Sequence, residues 1–99
     1  MREVIISTRA QKNIESLFDY LETNWSKKVK KEFALKLYKT IQLVRINPES
    51  FPKSTINSKY SKCVINKQAT IYYSFNNKQL IILALFDTRQ NPKKINKIS

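Results

Sequence analysis

Ala69-Thr70-Ile71-Tyr72-Tyr73-Ser74-Phe75-Asn76-Asn77-Lys78-Gln79-Leu80-Ile81-Ile82-Leu83-Ala84-Leu85-Phe86-Asp87 reads as two strands and the turn between them. Ile71, Tyr73 and Phe75 alternate with Thr70, Tyr72 and Ser74, the period of a strand with one buried face. That strand is expected over 69–76. Asn76-Asn77-Lys78 is a hairpin turn without glycine. The next strand spans 79–87. Its run from Leu80 to Phe86 is apolar on both faces, which suits a central strand.

Working upstream, Lys62–Asn66 is one more strand, and Lys53–Ser61 before it is a polar loop. Asn47-Pro48-Glu49-Ser50-Phe51-Pro52 carries two prolines within five residues, so no helix continues through it. The chain has no glycine and nine Asn. Asn tolerates the left-handed backbone better than other residues with a side chain, so the turns are expected to rely on it.

The N-terminal half has helical spacing. Ala10, Ile14, Leu17, Phe18, Leu21 and Trp25 mark one face of a helix over 8–23, with Ser7 as its N-cap. Asn24 ends it, and Trp25 is expected to pack the turn that follows. Ser26 caps a second helix whose apolar face is Val29, Phe33, Leu37, Ile41 and Val44. Lys27, Lys28, Lys30 and Lys31 crowd its first turns. Positive charge there opposes the macrodipole, so local stability did not select this cluster, and it reads as a solvated face rather than a ligand site. Glu3–Ser7 is a short opening strand.

The order is β-α-α-β-β-β. It predicts an α+β fold with a mainly antiparallel sheet packed on a helical hairpin, in one domain over residues 1–99. The first strand reaches the sheet by crossing over through the hairpin. One sheet face is left without helices. Tyr72, Leu83 and Leu85 are expected on it, and an apolar patch of that kind marks an interface.

Charge narrows the partners. Nineteen Lys and Arg stand against seven acids, a net charge of +12. Residues 51–99 hold nine bases and a single acid, Asp87. Such a half favours a polyanionic partner. No apolar run approaches the ~20 residues of a membrane span. Met1–Ser7 lacks the shape of a signal peptide, and the one cysteine, Cys63, cannot form an internal disulfide. A cytoplasmic setting is expected. The chain has no histidine, so the usual general base is missing and neither a metal nor another cofactor is expected. Cys63 reads as a small strand residue, since no base flanks it.

Several stretches, taken in order, resemble the RelE/ParE family of toxins from type II toxin–antitoxin pairs. These are the first strand running into Ser7-Thr8-Arg9-Ala10-Gln11, the helix exit Ile46 to Pro52, Cys63-Val64-Ile65, and Ile71-Tyr72-Tyr73. Leu83-Ala84-Leu85-Phe86-Asp87-Thr88-Arg89-Gln90-Asn91-Pro92 is the most specific. It is similar to the strand exit of plasmid-stabilisation toxins of the ParE type. The resemblance implies a growth-arresting toxin held inactive by a cognate antitoxin with an acidic or amphipathic segment. ParE-like members poison DNA gyrase, and RelE-like members cleave mRNA on the ribosome.

Metal-free RNA cleavage needs a base, an acid and cations for the phosphate. RelE-like members draw these from Arg, Lys, Glu or His and a C-terminal aromatic. Here no histidine exists and no tyrosine follows Tyr73. The cationic clamp remains, with Lys53 and Lys59 before the sheet, but no proton-transfer set is visible. The gyrase-poison reading needs no such set and is preferred, with the endoribonuclease as the alternative. A third reading is a plain nucleic-acid binder that stacks bases on Tyr60, Tyr72 and Tyr73, although Tyr73 has core spacing. The candidate target contacts are Arg89, Lys62, Lys93 and Lys94. Arg89 is either such a contact or the partner of Asp87. Lys93, Lys94 and Lys97 of the tail read as a solvated surface unless the target uses them.

Overall fold

The computed structural model describes residues 1–54 and 59–89. The elements run β1 (Glu3–Ile6), α1 (Thr8–Asn24), α2 (Lys27–Ile46), a 3-10 turn (Pro48–Ser50), β2 (Ser61–Asn66), β3 (Ala69–Phe75) and β4 (Gln79–Asp87). The four strands form one sheet in the order β1-β4-β3-β2. β4 is central, parallel to β1 and antiparallel to β3. The expected order and the helical hairpin are both present.

Local chemistry sets the helix ends. Ser7 Oγ accepts from Ala10 N at 3.0 Å, and Ser26 Oγ accepts from Val29 N at 3.1 Å. Each side chain satisfies a donor that the first helical turn leaves unpaired. Lys30 reaches back to Glu22 of α1 at 2.7 Å. One lysine of the crowded cluster therefore ties the two helices. Both side chains stay about a third exposed, so solvent screens the pair.

Turns are made without left-handed residues: no described residue has a positive φ. Asn serves in another way. Asn66 Oδ1 accepts from Gln68 N and Ala69 N, and Asn76 Oδ1 accepts from Lys78 N and Gln79 N, all at 2.8–2.9 Å. The side-chain carbonyl stands in for a backbone acceptor, which turns the chain in ordinary φ/ψ space.

The core lies between the hairpin and the sheet. Leu17, Phe33, Leu37, Ile41 and Val44 meet Ile71, Tyr73, Leu80, Ile82 and Leu85. Each such side chain stabilises the fold by roughly 1.5–3 kcal/mol through burial. Tyr73 is wholly buried, and its hydroxyl donates to Pro48 O at 2.6 Å. Sheet and helix exit are locked together by that bond.

Tyr72 lies on the helix-free face as expected, but Leu85 does not. In β4 the register slips, with Tyr73 opposite Ile82 and Tyr72 opposite Ala84. Leu83 is the extra residue of a β-bulge. Past it the parity reverses, so Leu85 enters the core while Ala84 and Phe86 join Tyr72 in a small cluster on the far face. The N-cap of α1 and a side chain of its second turn accommodate the bulge. Ser7 Oγ donates to Leu83 O at 2.8 Å, and Asn13 Oδ1 accepts from Leu85 N at 3.1 Å.

Candidate functional site

The same parity decides where the end of β4 points. Asp87 lies opposite Ala69, a core residue, and so faces the helical side. Its side chain is 1% exposed. A buried carboxylate needs strong partners, and Arg89 supplies them. Arg89 Nε and Nη2 each donate at 2.9 Å, to Oδ1 and Oδ2, and Arg89 N donates to Oδ1 at 2.9 Å. The guanidinium also lies 4.6 Å above the ring of Tyr20 on α1, a cation–π geometry. Bonding to Asp87 holds the Arg89 pKa above its ordinary value. The group is a permanent cation, its Nε and Nη2 edge turned to Asp87, so a ligand would meet its Nη1 side.

Around it is a cleft of about 520 Å³ at the closed end of the hairpin. α1 contributes Leu17, Tyr20 and Leu21; the turn contributes Trp25; α2 contributes Val29, Glu32, Phe33 and Lys36. Asn66 and Gln68 of the β2–β3 turn close one side, and Asp87, Thr88 and Arg89 the other. Trp25 does not pack the helical turn as expected. It is 69% exposed and forms a wall of the cleft. The α2 wall follows a helical stripe from Trp25 through Val29 and Glu32 to Lys36, and that spacing was readable. What it faced was not, because Asn66 and Thr88 reach the cleft only through sheet pairing.

Lys62 lies elsewhere. It pairs with Tyr72 across β2 and β3, which puts it on the helix-free face. There Tyr72 and Phe86 meet edge to face at 5.7 Å, and Arg9 lies 5.6 Å over Phe86. A recess of about 230 Å³ beside them is lined by Ser7, Arg9, Tyr60 and Leu83. Arg9 is a cation that the sequence reading passed over. It lies on a helix start, and only the fold brings it to Phe86. The structure thus separates Arg89 from Lys62, one on each side of the sheet. Lys93 and Lys94 lie outside the described residues.

The remaining candidates serve the fold. Tyr72 and Tyr73 are 7% and 0% exposed, so neither offers a ring face for base stacking. Burial pushes the Tyr73 hydroxyl up to about 12. Cys63 is buried, and desolvation raises its thiol above its usual range. Among the described residues, no three His, Cys, Asp or Glu side chains stand together as a metal site. No described helix is long and apolar enough to cross a membrane.

The hairpin, the mixed sheet and two cationic surfaces define a small basic α+β module. Residues 4–92 match the sequence profile of the ParE toxin of type II toxin–antitoxin systems, parDE. The chain belongs to that ParE toxin family, and so is the toxin component of a type II pair. The fold agrees. A structure of the chromosomal ParDE system from P. aeruginosa superposes with a TM-score of 0.76 at 7% identity, covering 88% of this chain and 96% of that one. HP0894 from Helicobacter pylori gives 0.59 at 21% identity, covering 91% and 98%. The E. coli DinJ–YafQ complex gives 0.61 at 12% identity, covering 90% and 96%. No curated protein matches the sequence.

Proposed function

We propose that this toxin arrests growth in the cytoplasm by poisoning DNA gyrase and is neutralised by a cognate antitoxin. One observation carries the choice of target. Among the described residues, the titratable groups that the strands place beside the two cationic candidates are committed to the fold, while Glu32 of α2, which also lines the Arg89 cleft, stays exposed. Asp87 is bonded to Arg89, Tyr72 is packed under Phe86, and Cys63 beside Lys62 is buried with a raised pKa. A general acid or base must be free to exchange a proton with its substrate. A poison that traps an enzyme–DNA complex needs only contact and charge.

The antitoxin segment fits the cleft at the hairpin's closed end. Trp25, Tyr20 and Val29 offer apolar surface, and Arg89 and Lys36 offer positive charge. An amphipathic segment with acidic residues meets both. Supercoiling and cleavage-complex assays with gyrase, run beside ribosome-dependent RNA cleavage, test the target. Inhibited supercoiling or accumulated cleaved DNA is expected, with the RNA intact. Ribosome-dependent cleavage that disappears in Lys62→Ala or Arg89→Ala overturns this reading in favour of an endoribonuclease.

A further inference from the structure

The chain has four arginines, and the fold uses three of them for hydrogen bonds. Arg2 donates to the carbonyls of Asn76 and Arg45, Arg45 donates to Arg2 O and Gln42 Oε1, and Arg89 donates to Asp87. Arg9 is the exception. Among the described residues its guanidinium has no hydrogen bond and no ion pair, yet it is held 5.6 Å over the buried ring of Phe86. The ring attracts the cation without using any of its N–H donors. Its neighbours one turn along α1 are Lys12 and Asn13, neither an acid. Of the two acids in the strands, Asp87 is bonded to Arg89. Glu3 stands opposite Gln79, four residues before Leu83 and so roughly 13 Å from it along β4.

The recess beside Arg9 has donors without acceptors. Ser7 Oγ donates to Leu83 O and accepts from Ala10 N, so the polar atoms of that wall are already matched. Tyr60 is anchored by its carbonyl, which accepts from Ser54 N at 2.7 Å, while its hydroxyl has no partner among the described residues. Arg9 and Tyr60 thus bring unpaired donors to one recess, a setting for an anion. At about 230 Å³ it is smaller than the ~300–1,000 Å³ of a small-molecule site, so it takes one charged group of a larger molecule.

Lys62 continues the charge. It pairs with Tyr72, whose ring meets Phe86 edge to face, so Lys62 and Arg9 flank one aromatic pair. Two cations along one face suit a repeating polyanion better than a lone carboxylate, and the net charge of +12 draws such a partner. Tyr72 and Phe86 are buried, which leaves contact to a backbone rather than stacking on bases. We infer that this recess is a DNA phosphate site, in which Arg9 and Tyr60 hold one backbone phosphate and Lys62 meets a neighbouring one. DNA as the source of the phosphate rests on the gyrase reading above, in which the toxin traps an enzyme–DNA complex.

Fluorescence anisotropy of the full toxin chain with a labelled DNA duplex, titrated from ~0.05 to ~0.3 M salt, reads the site without gyrase present. Affinity should fall log-linearly with salt. Arg9→Ala should weaken binding about tenfold at ~0.1 M and reduce the salt slope by about 0.9, the share of one phosphate. Arg9→Lys should keep the slope but lose part of the affinity, since an ammonium lacks the planar fork. Tyr60→Phe should weaken binding about threefold with the slope unchanged, because the hydroxyl is neutral. These two conservative variants keep the test readable if Arg9→Ala loosens the fold. Lys39→Ala, a like charge removed from the exposed side of α2, should change binding far less than Arg9→Ala. Equal losses in Arg9→Ala and Lys39→Ala mean diffuse attraction by net charge and overturn the proposal. So does single-stranded RNA that binds more than about tenfold tighter than the duplex through the same residues, which assigns the recess to RNA. Supercoiling assays separate this site from the gyrase reading. A toxin that leaves gyrase untouched, with DNA binding still lost in Arg9→Ala, removes that reading and keeps the site. Gyrase inhibition with unaltered DNA binding in Arg9→Ala keeps the reading and removes the site.

Discussion

Arg89 holds Asp87 through both carboxylate oxygens while its guanidinium lies on Tyr20. The pair joins the end of β4 to α1. It is not the fully exposed ion pair that its place at a strand exit suggests, because Asp87 is buried and Arg89 is 30% exposed. Removing Arg89 leaves a buried carboxylate without its main partner. Arg89→Ala should lower stability by about 1–3 kcal/mol in urea unfolding. Arg89→Lys should recover little, since a lysine cannot form the two-bond fork. Asp87→Asn separates structure from function. It should lose similar stability yet remain toxic, while Arg89→Ala loses toxicity. Equal toxicity in the two variants removes Arg89 from the target surface.

A single hydroxyl joins α1 to the bulge of β4. Ser7 Oγ accepts from Ala10 N and donates to Leu83 O. Ser7→Ala deletes the helix cap and leaves the Leu83 carbonyl without that donor. A loss of about 1–3 kcal/mol is expected by urea unfolding, more than a cap alone contributes. A loss below about 0.5 kcal/mol would mean that water replaces the bond to Leu83.

Alkaline pH should unfold the chain through Tyr73. Burial raises its hydroxyl from the ordinary 10 to about 12. Between those values the unfolded chain has released a proton that the folded chain retains. The native state then binds more protons, and stability falls as pH rises. The contribution is complete below about pH 10 and gone above about pH 12. Cys63 and Tyr72, both raised by burial, act with the same sign. Tyr73→Phe should cost about 1 kcal/mol at pH 7, from the lost bond to Pro48 O, and flatten the decline from pH 10 to 12. An unchanged slope in that window would falsify the assignment to Tyr73.

Lys62 is the cleaner probe of the target. It is half-exposed on β2, on the face away from the helices. Lys62→Ala should change stability by less than about 0.5 kcal/mol. If Lys62 contacts the target, toxicity falls while antitoxin binding in the hairpin cleft is kept. Lys93→Ala and Lys94→Ala belong in the same series. Full toxicity in all three confines the target surface to Arg89 and its neighbours.

Association with the antitoxin should respond to salt mainly in its rate. Acidic residues on the proposed antitoxin segment would be attracted to the basic half of the toxin, an attraction that speeds encounter and is screened by ions. Burial of Trp25, Tyr20 and Val29 should sustain the complex afterwards. Raising salt from ~0.1 to ~0.5 M should slow association while dissociation changes little, as read by surface plasmon resonance. Dissociation that accelerates in step with salt would mean that charge, not apolar contact, holds the complex.

The sequence by itself determined the element order, both helix caps and the family. These signals are local: apolar spacing, Ser7 and Ser26 before helical runs, prolines after α2, and a run of residues at the β4 exit. Only the tertiary structure decided which face each side chain of β4 serves. Ile82 and Leu85 share the core because one extra residue, Leu83, inverts the alternation, and the partners that accommodate that inversion, Ser7 and Asn13, are more than seventy residues away. The candidate site divides in the same manner. Arg89 and Lys62 were legible as cations in a basic half. Their placement on opposite sides of the sheet was not, because it depends on strand register. The core face of α2, by contrast, was legible from its helical spacing, and Phe33, Leu37, Ile41 and Val44 are buried as expected.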